Sequence, residues 1–300
     1  TFVGFPQISD PQSLIFSPAL LLAYLVDKPG YNLLDCYVMF LLGAGGAAIL
    51  TLCLDKGWHP GAGVIAAIAF AFGGSAAWRV QHIGHIQSYA FFAIALWCFL
   101  RAIDRGSPWW GLATGLAAGV MLIEPNQMSL LGAYALAAIY AARVLMSPCR
   151  KREFAVTWRT VVVAAAASMA VAALPIALTY MFMQQSNRPV IDFAEAARGS
   201  LHPASFLTFL IADLFGALDP HVDYWGPYSV HWNKDELTLS QNMCQVYSGT
   251  LPALLILTAG LVRGHLLDRP VRVFSLLLAF SIVYSIGAYS PAYQAFYSLL

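Results

Sequence analysis

Charge is what this sequence has least of. Only 10% of its 300 residues are charged, against 59% that are hydrophobic, whereas a soluble domain has about 25% charged and 45–50% apolar residues. With a mean hydropathy of +0.67, that shortage excludes a water-soluble fold. The formal net charge is +1 and no basic run has the density of a nucleic-acid footprint, so nucleic acid is not an expected partner. Cysteine is sparse and irregular. Cys36, Cys53, Cys98, Cys149 and Cys244 form neither a CxxC nor a regular spacing, which leaves no zinc module or disulfide scaffold to expect, only small apolar residues. The absence of GxxxxGK[ST] excludes ATP use through a P-loop. The absence of a repeat of roughly 20 to 50 residues excludes solenoids and propellers. No signal peptide opens the chain at Thr1, and Tyr297-Ser298-Leu299-Leu300 stops inside an apolar run. Both ends read as the edges of a fragment.

What the chain does have is apolar length. About 20 apolar residues cross the hydrocarbon as a helix, and eight stretches approach that length: 33–54, 61–78, 88–103, 109–124, 127–146, 161–183, 249–262 and 273–289. They must be helices, because lipid offers no partner to an open backbone. The expected fold is an all-α polytopic membrane protein, a single membrane domain over 1–300. A shorter stretch, 14–26, suits an interfacial helix within an outer segment 1–32, and 184–248 forms one long loop. Basic residues give the orientation. If Leu33 starts its span outside, 11 of the 16 Lys and Arg lie inside, with Arg143, Arg150, Lys151, Arg152 and Arg159 as the densest group. The chain is thus expected in the inner (plasma) membrane. With Thr1 outside, an odd number of spans is expected upstream.

This orientation collects four polar regions on the outer face: residues 1–32, the turn from Arg79, the turn from Glu124, and the loop 184–248. The loop carries seven acids against three bases, and its length points to function. Its apolar stretch from Phe206 to Phe215 is expected to dip back onto the membrane surface. Gly43-Ala44-Gly45-Gly46-Ala47-Ala48 fits GxGxxA, but it lies in mid-span, where small residues pack helices closely. His82 and His85, beside Arg79, Gln81 and Gln87, could contact substrate, phosphate or a metal, or could be solvated by headgroups. The residues point to no particular cofactor, and a divalent metal stays open. Glu124-Pro125-Asn126-Gln127 joins two helices, with Pro125 ending the first; Glu124 and Gln127 read as substrate contacts or as solvated turn residues. Asp10 is a helix cap or a catalytic carboxylate. Asp219, Asp223 and Trp225 suit sugar binding, or an ordinary surface loop. Arg188 and Arg198 suit a lipid-linked phosphate, or pairing with Asp192 and Glu195.

Several ordered pieces together resemble the YfhO-like family of GT-C-type bacterial membrane glycosyltransferases: FVGFPQISDPQSLIFSP, WRVQHIGHIQSYAFFAIALW, GLAAGVMLIEPNQMSLLGAYALAAIY, LPIAL, SNRP, SLHPASFLTFL, LFGALDP, YWGP, QNMCQVYSGTLPALLILTAGL and SIGAYSPAYQAFYSLL. They cover nearly the whole chain in order. The resemblance implies a GT-C-like fold and an enzyme that moves a sugar from a polyprenyl-phosphate donor to an extracytoplasmic cell-envelope glycan acceptor, with membrane lipids around it. It implies a main catalytic acid on a helix upstream of Thr1, and it makes Asp10 a site-lining residue. The family's frequent GHPQ turn stands here as Glu124-Pro125-Asn126-Gln127. His82, His85, Arg188, Asp219, Asp223 and Trp225 would line the cleft, with Arg188 on phosphate and Trp225 against the sugar. The rival reading is a transporter or flippase for a lipid-linked or small solute. Coupled carriers keep ionisable groups at mid-membrane, and the centres of these spans have no Asp, Glu, Lys or Arg.

Overall fold

Every element among the described residues is helical, as a chain that cannot leave its backbone unpaired in lipid requires. The structure, a computed structural model, describes residues 13–26, 31–77, 79–184, 192–197, 199–216, 224–227, 246–268 and 271–299. In chain order the first helices are α1 (Pro18–Leu25), α2 (Tyr31–Asp55), α3 (Pro60–Phe72), the single turn α4 (Gly74–Ala77), α5 (Ile83–Arg105), α6 (Pro108–Leu122), α7 (Gln127–Met146) and α8 (Arg150–Gln184). Among the described residues, six helical stretches are long and apolar enough to cross a membrane: Asn32–Asp55, Pro60–Ala77, Ile83–Arg105, Gln127–Met146, Arg150–Gln184 and Arg272–Tyr289. The other two expected spans are shorter helices. Pro108–Leu122 has 15 residues, and Thr250–Val262 continues from an α-helix into a π-helical turn.

Helix α1 also differs from expectation. It begins at Pro18 rather than Leu14, because the ring of Pro18 suits the first helical position and Ser17 caps it, its Oγ accepting from Ala19 N at 3.2 Å. Asp10, read as a helix cap or a catalytic carboxylate, lies outside the described residues. Helix α8 differs in the opposite sense. It starts at Arg150, eleven residues before the expected span, and its 35 residues give a length of about 52 Å, well beyond a hydrocarbon core of about 30 Å. Its basic first turns therefore extend past the apolar part.

The chain divides into two compact units, Thr1–Ala71 with Val80–Pro189, and Phe72–Arg79 with Val190–Leu300. In the first, α5 is the central helix, packed on α2, α6 and α7, while α6 packs most extensively on α8. Small residues permit that approach. A Cβ added at Gly111 would stand 2.6 Å from Thr160 O, one at Gly115 would overlap Ala164 O, and one at Gly119 would stand 2.6 Å from Val171 Cβ. The four-residue repeat puts all three glycines on one face of α6. Gly115→Ala is expected to destabilise the protein by about 1–3 kcal/mol through overpacking against backbone, read as a fall in unfolding temperature in detergent. The Gly43–Ala48 run is used in the same way: Gly45 lies under the Phe70 ring and Gly46 against Ala67.

Polar groups in this unit gather at two opposite ends. At the ends of α2, α5 and α7, Asp55 pairs with Arg101, whose guanidinium lies 5.0 Å and 4.7 Å from the Trp97 and Trp110 ring centres. Beside them Lys56 and Arg143 both hold Asp104, and Arg143 also reaches Glu153 at 2.7 Å. At the starts of α2, α5 and α7 stand Tyr37, His82, His85, Gln87 and Asn126.

The second unit is held partly by polar contacts from its loop. Ser200 Oγ accepts from Ala288 N at 2.8 Å and donates to Ala197 O at 2.5 Å, and Tyr293 OH donates to Ala196 O at 2.9 Å. Burial, helped by the neighbouring Tyr284 and Tyr297, raises the Tyr293 phenol above its ordinary pKa. The stretch Phe206–Phe215 forms a 3-10 helix over Pro203–Phe209 followed by turns, with Leu207 and Ile211 exposed.

Candidate functional site

The buried centre of the histidine end is Gln87. It lies one turn into α5 with no solvent exposure, so all its polar atoms need protein partners. Its Oε1 accepts from Ser17 Oγ at 2.6 Å and from Tyr37 OH at 3.0 Å, and its Nε2 donates to Val120 O at 3.2 Å. One amide thus ties α5 to α2, to the last turn of α6 and to the turn before α1. Ser88, the next residue, donates to Met121 O at 3.0 Å and accepts from Asn126 Nδ2 at 2.9 Å.

The turn from Glu124 to Gln127 is shaped by its own sequence. Helix α6 ends at Leu122, and Asn126 caps α7: its Oδ1 accepts from Ser129 N at 3.0 Å, and Ser129 Oγ accepts from Asn126 N at 3.0 Å. This reciprocal cap satisfies two helix-start donors. Asn126 Nδ2 also donates to Glu124 O at 2.7 Å. Pro125 therefore sits between two helices, as expected. Glu124 itself is only 3% exposed. A Cβ added at Gly84 would lie 3.6 Å from Glu124 Cβ, so the backbone between His82 and His85 passes directly against the carboxylate's side chain.

His82 is exposed at the start of α5, with no capping bond from its side chain, and His85 is half-buried in the first turn. Their rings stand edge to face with centres 5.4 Å apart. The two imidazoles do lie on neighbouring positions, as the spacing suggested. Among the described residues, no group of three or more His, Cys, Asp or Glu is arranged to hold a metal. Gln127 is exposed at the first position of α7. Just before α5, burial lowers the pKa of the half-buried Arg79 guanidinium, which stays charged but is poorly hydrated.

Five of the sequence-derived site residues, His82, His85, Gln87, Glu124 and Gln127, thus meet at one end of the first unit. Trp225 belongs to the second unit, 66% exposed, its ring edge-on to Phe215 with centres 5.0 Å apart. That exposed ring is available for stacking. Asp10, Arg188, Asp219 and Asp223 lie outside the described residues, as does Arg198. Ser17 and Tyr37 are the members that sequence reasoning missed. They are 70 and 50 residues from Gln87, and nothing local marks a Ser before a short helix or a Tyr in an apolar run as partners of a distant amide. Compared with protein-family models, curated proteins and solved structures, the chain matches none.

Proposed function

We propose that the protein is a membrane glycosyltransferase of the YfhO-like, GT-C type, moving a sugar from a polyprenyl-phosphate donor to a cell-envelope glycan acceptor outside the cytoplasm, with its histidine end facing outward. The observation that carries this reading is the grading of that end, from exposed His82 through half-buried His85 to buried Glu124 beside Gly84. Such a gradient suits general-base chemistry. An imidazole can meet an acceptor hydroxyl, while a carboxylate kept dry orients the ring and stabilises the imidazolium. In this scheme His85, in place of the acid that the family resemblance puts upstream of Thr1, takes the hydroxyl proton as the acceptor oxygen bonds to the anomeric carbon. The bond from that carbon to the donor phosphate oxygen breaks, and polyprenyl phosphate leaves with the electron pair. One displacement inverts the configuration. The leaving phosphate needs positive charge, the role the family resemblance gives to Arg188, as it gives the sugar face to Trp225.

The reading is tested with the full chain in vesicles supplied with a radiolabelled polyprenyl-phosphate sugar and an envelope glycan acceptor. Label is expected to appear in the acceptor with inverted linkage. Asp10→Ala and Asp223→Ala are each expected to lower that rate, and unchanged rates for both would remove them from the site. Movement of the donor across the bilayer with no label in the acceptor would instead support the transporter or flippase reading.

A further inference from the structure

A strongly charged surface of the first unit lies away from the histidine end, at the turn joining α7 to α8. A pocket of about 370 Å³ opens there, lined by Asp104, Arg143, Cys149, Arg152 and Val156 among others. Its acids are already occupied. Asp104 is held by Lys56 and Arg143, and Glu153 by Arg143. These two acids and two bases cancel, leaving Arg150, Lys151 and Arg152 exposed and without an ion pair among the described residues.

Position and lining indicate what would neutralise them. The turn connects two membrane-length helices, Gln127–Met146 and Arg150–Gln184, so it stands at a boundary between hydrocarbon and water. The lining also changes character along α8: Arg152 and Val156 are one turn apart and both face the pocket, and Val156 is 56% exposed. Leu145, Met146 and Phe154 are exposed apolar side chains near the same turn. A free inorganic anion would use the cations alone. A molecule with an anionic head and an apolar tail would use both.

We propose that this pocket binds the headgroup of an anionic phospholipid, its phosphate on Arg152 with Arg150 and Lys151 nearby, and its acyl chain along the apolar side chains of α7 and α8. Basic pockets between membrane helices suit such headgroups, each cation contributing roughly 1 kcal/mol. The site is independent of the chemistry proposed for the other end.

Cys149 supplies the readout, being an exposed thiol in the pocket lining, whereas Cys53 and Cys98 are buried. The full chain carrying Cys36→Ser and Cys244→Ser is placed in nanodiscs and treated with an uncharged maleimide. Discs containing phosphatidylglycerol are expected to slow labelling of Cys149 relative to pure phosphatidylcholine, while inorganic phosphate added to the phosphatidylcholine discs leaves the rate unchanged. Arg152→Gln is expected to raise the phosphatidylglycerol fraction needed for half-protection about fivefold, the equivalent of roughly 1 kcal/mol. Arg152→Lys retains protection. Arg159→Gln, one cation outside the lining, also leaves it unchanged. Equal protection by phosphatidylcholine or by phosphate alone would overturn the proposal, and so would equal weakening by Arg152→Gln and Arg159→Gln, which indicates diffuse attraction rather than a pocket.

Discussion

Glu124→Gln is expected to lower the rate of sugar transfer about 10²- to 10⁴-fold, the range associated with a lost acid-base function, while unfolding temperature changes little. The substitution keeps shape and volume and removes only the negative charge that the proposed scheme assigns to this side chain. In the proposed scheme that charge orients His85 and stabilises the imidazolium formed as the acceptor hydroxyl loses its proton, so its loss raises the barrier without altering the fold. His85→Gln should have an effect of similar size. The double variant should be scarcely worse than either single one, because residues that act as a unit are not additive. A merely structural Glu124 would give a different pattern: a lower unfolding temperature, no change in the pH dependence of the residual rate, and full additivity with His85→Gln. Gln127→Ala is the internal control. Gln127 is exposed at the start of α7, so its removal should change substrate affinity rather than the rate at saturation.

For Gln87→Ala, a loss of stability on the order of 4 kcal/mol is expected, measured by unfolding in detergent or by steric trapping. Three hydrogen bonds disappear together, from Ser17 Oγ, from Tyr37 OH and to Val120 O. Bonds between membrane helices contribute about 0.6–1.7 kcal/mol each, and the void left by the amide adds about another 1 kcal/mol. Water cannot replace the amide easily, because Gln87 and Ser17 have no solvent exposure. Tyr37→Phe removes one of the three bonds and fills nearly the same volume, so its cost should stay below about 1.7 kcal/mol. Equal losses for the two variants would mean that the amide is not the centre of the network. The same contacts make Gln87 a brace for the histidine turn, whatever chemistry is performed there.

The parts of the fold that follow from local composition were legible in the sequence. Long apolar runs dictate helices, and the eight expected stretches each coincide with a helical region. The run at 109–124 ends two residues early, at Leu122, because the turn around Pro125 stops it. The basic group after Arg143 was legible as charge, but not as a pocket. That required α8 to begin at Arg150 and to bring Arg152 and Val156 against α7 and α5. The repeat Gly111, Gly115 and Gly119 was present in the sequence, yet its meaning depends on which helix lies opposite it. Alone it could face lipid; in the structure it admits the backbone of α8.

The sequence by itself determined that charge is scarce, that the chain must therefore fold as helices suited to a membrane, and that its polar groups stand at helix ends rather than in mid-span. Each of these follows from the cost of placing open backbone or charge in hydrocarbon, a cost set by residue type and run length alone. Only the tertiary structure decided which polar residues meet. Ser17, Tyr37 and Gln87 share one hydrogen-bonded amide, and Glu124 is buried against the backbone of Gly84 instead of solvated in its turn. Those outcomes depend on packing between segments far apart in the chain, where the stabilising term is mutual burial and hydrogen-bond geometry, and neither has a local signature.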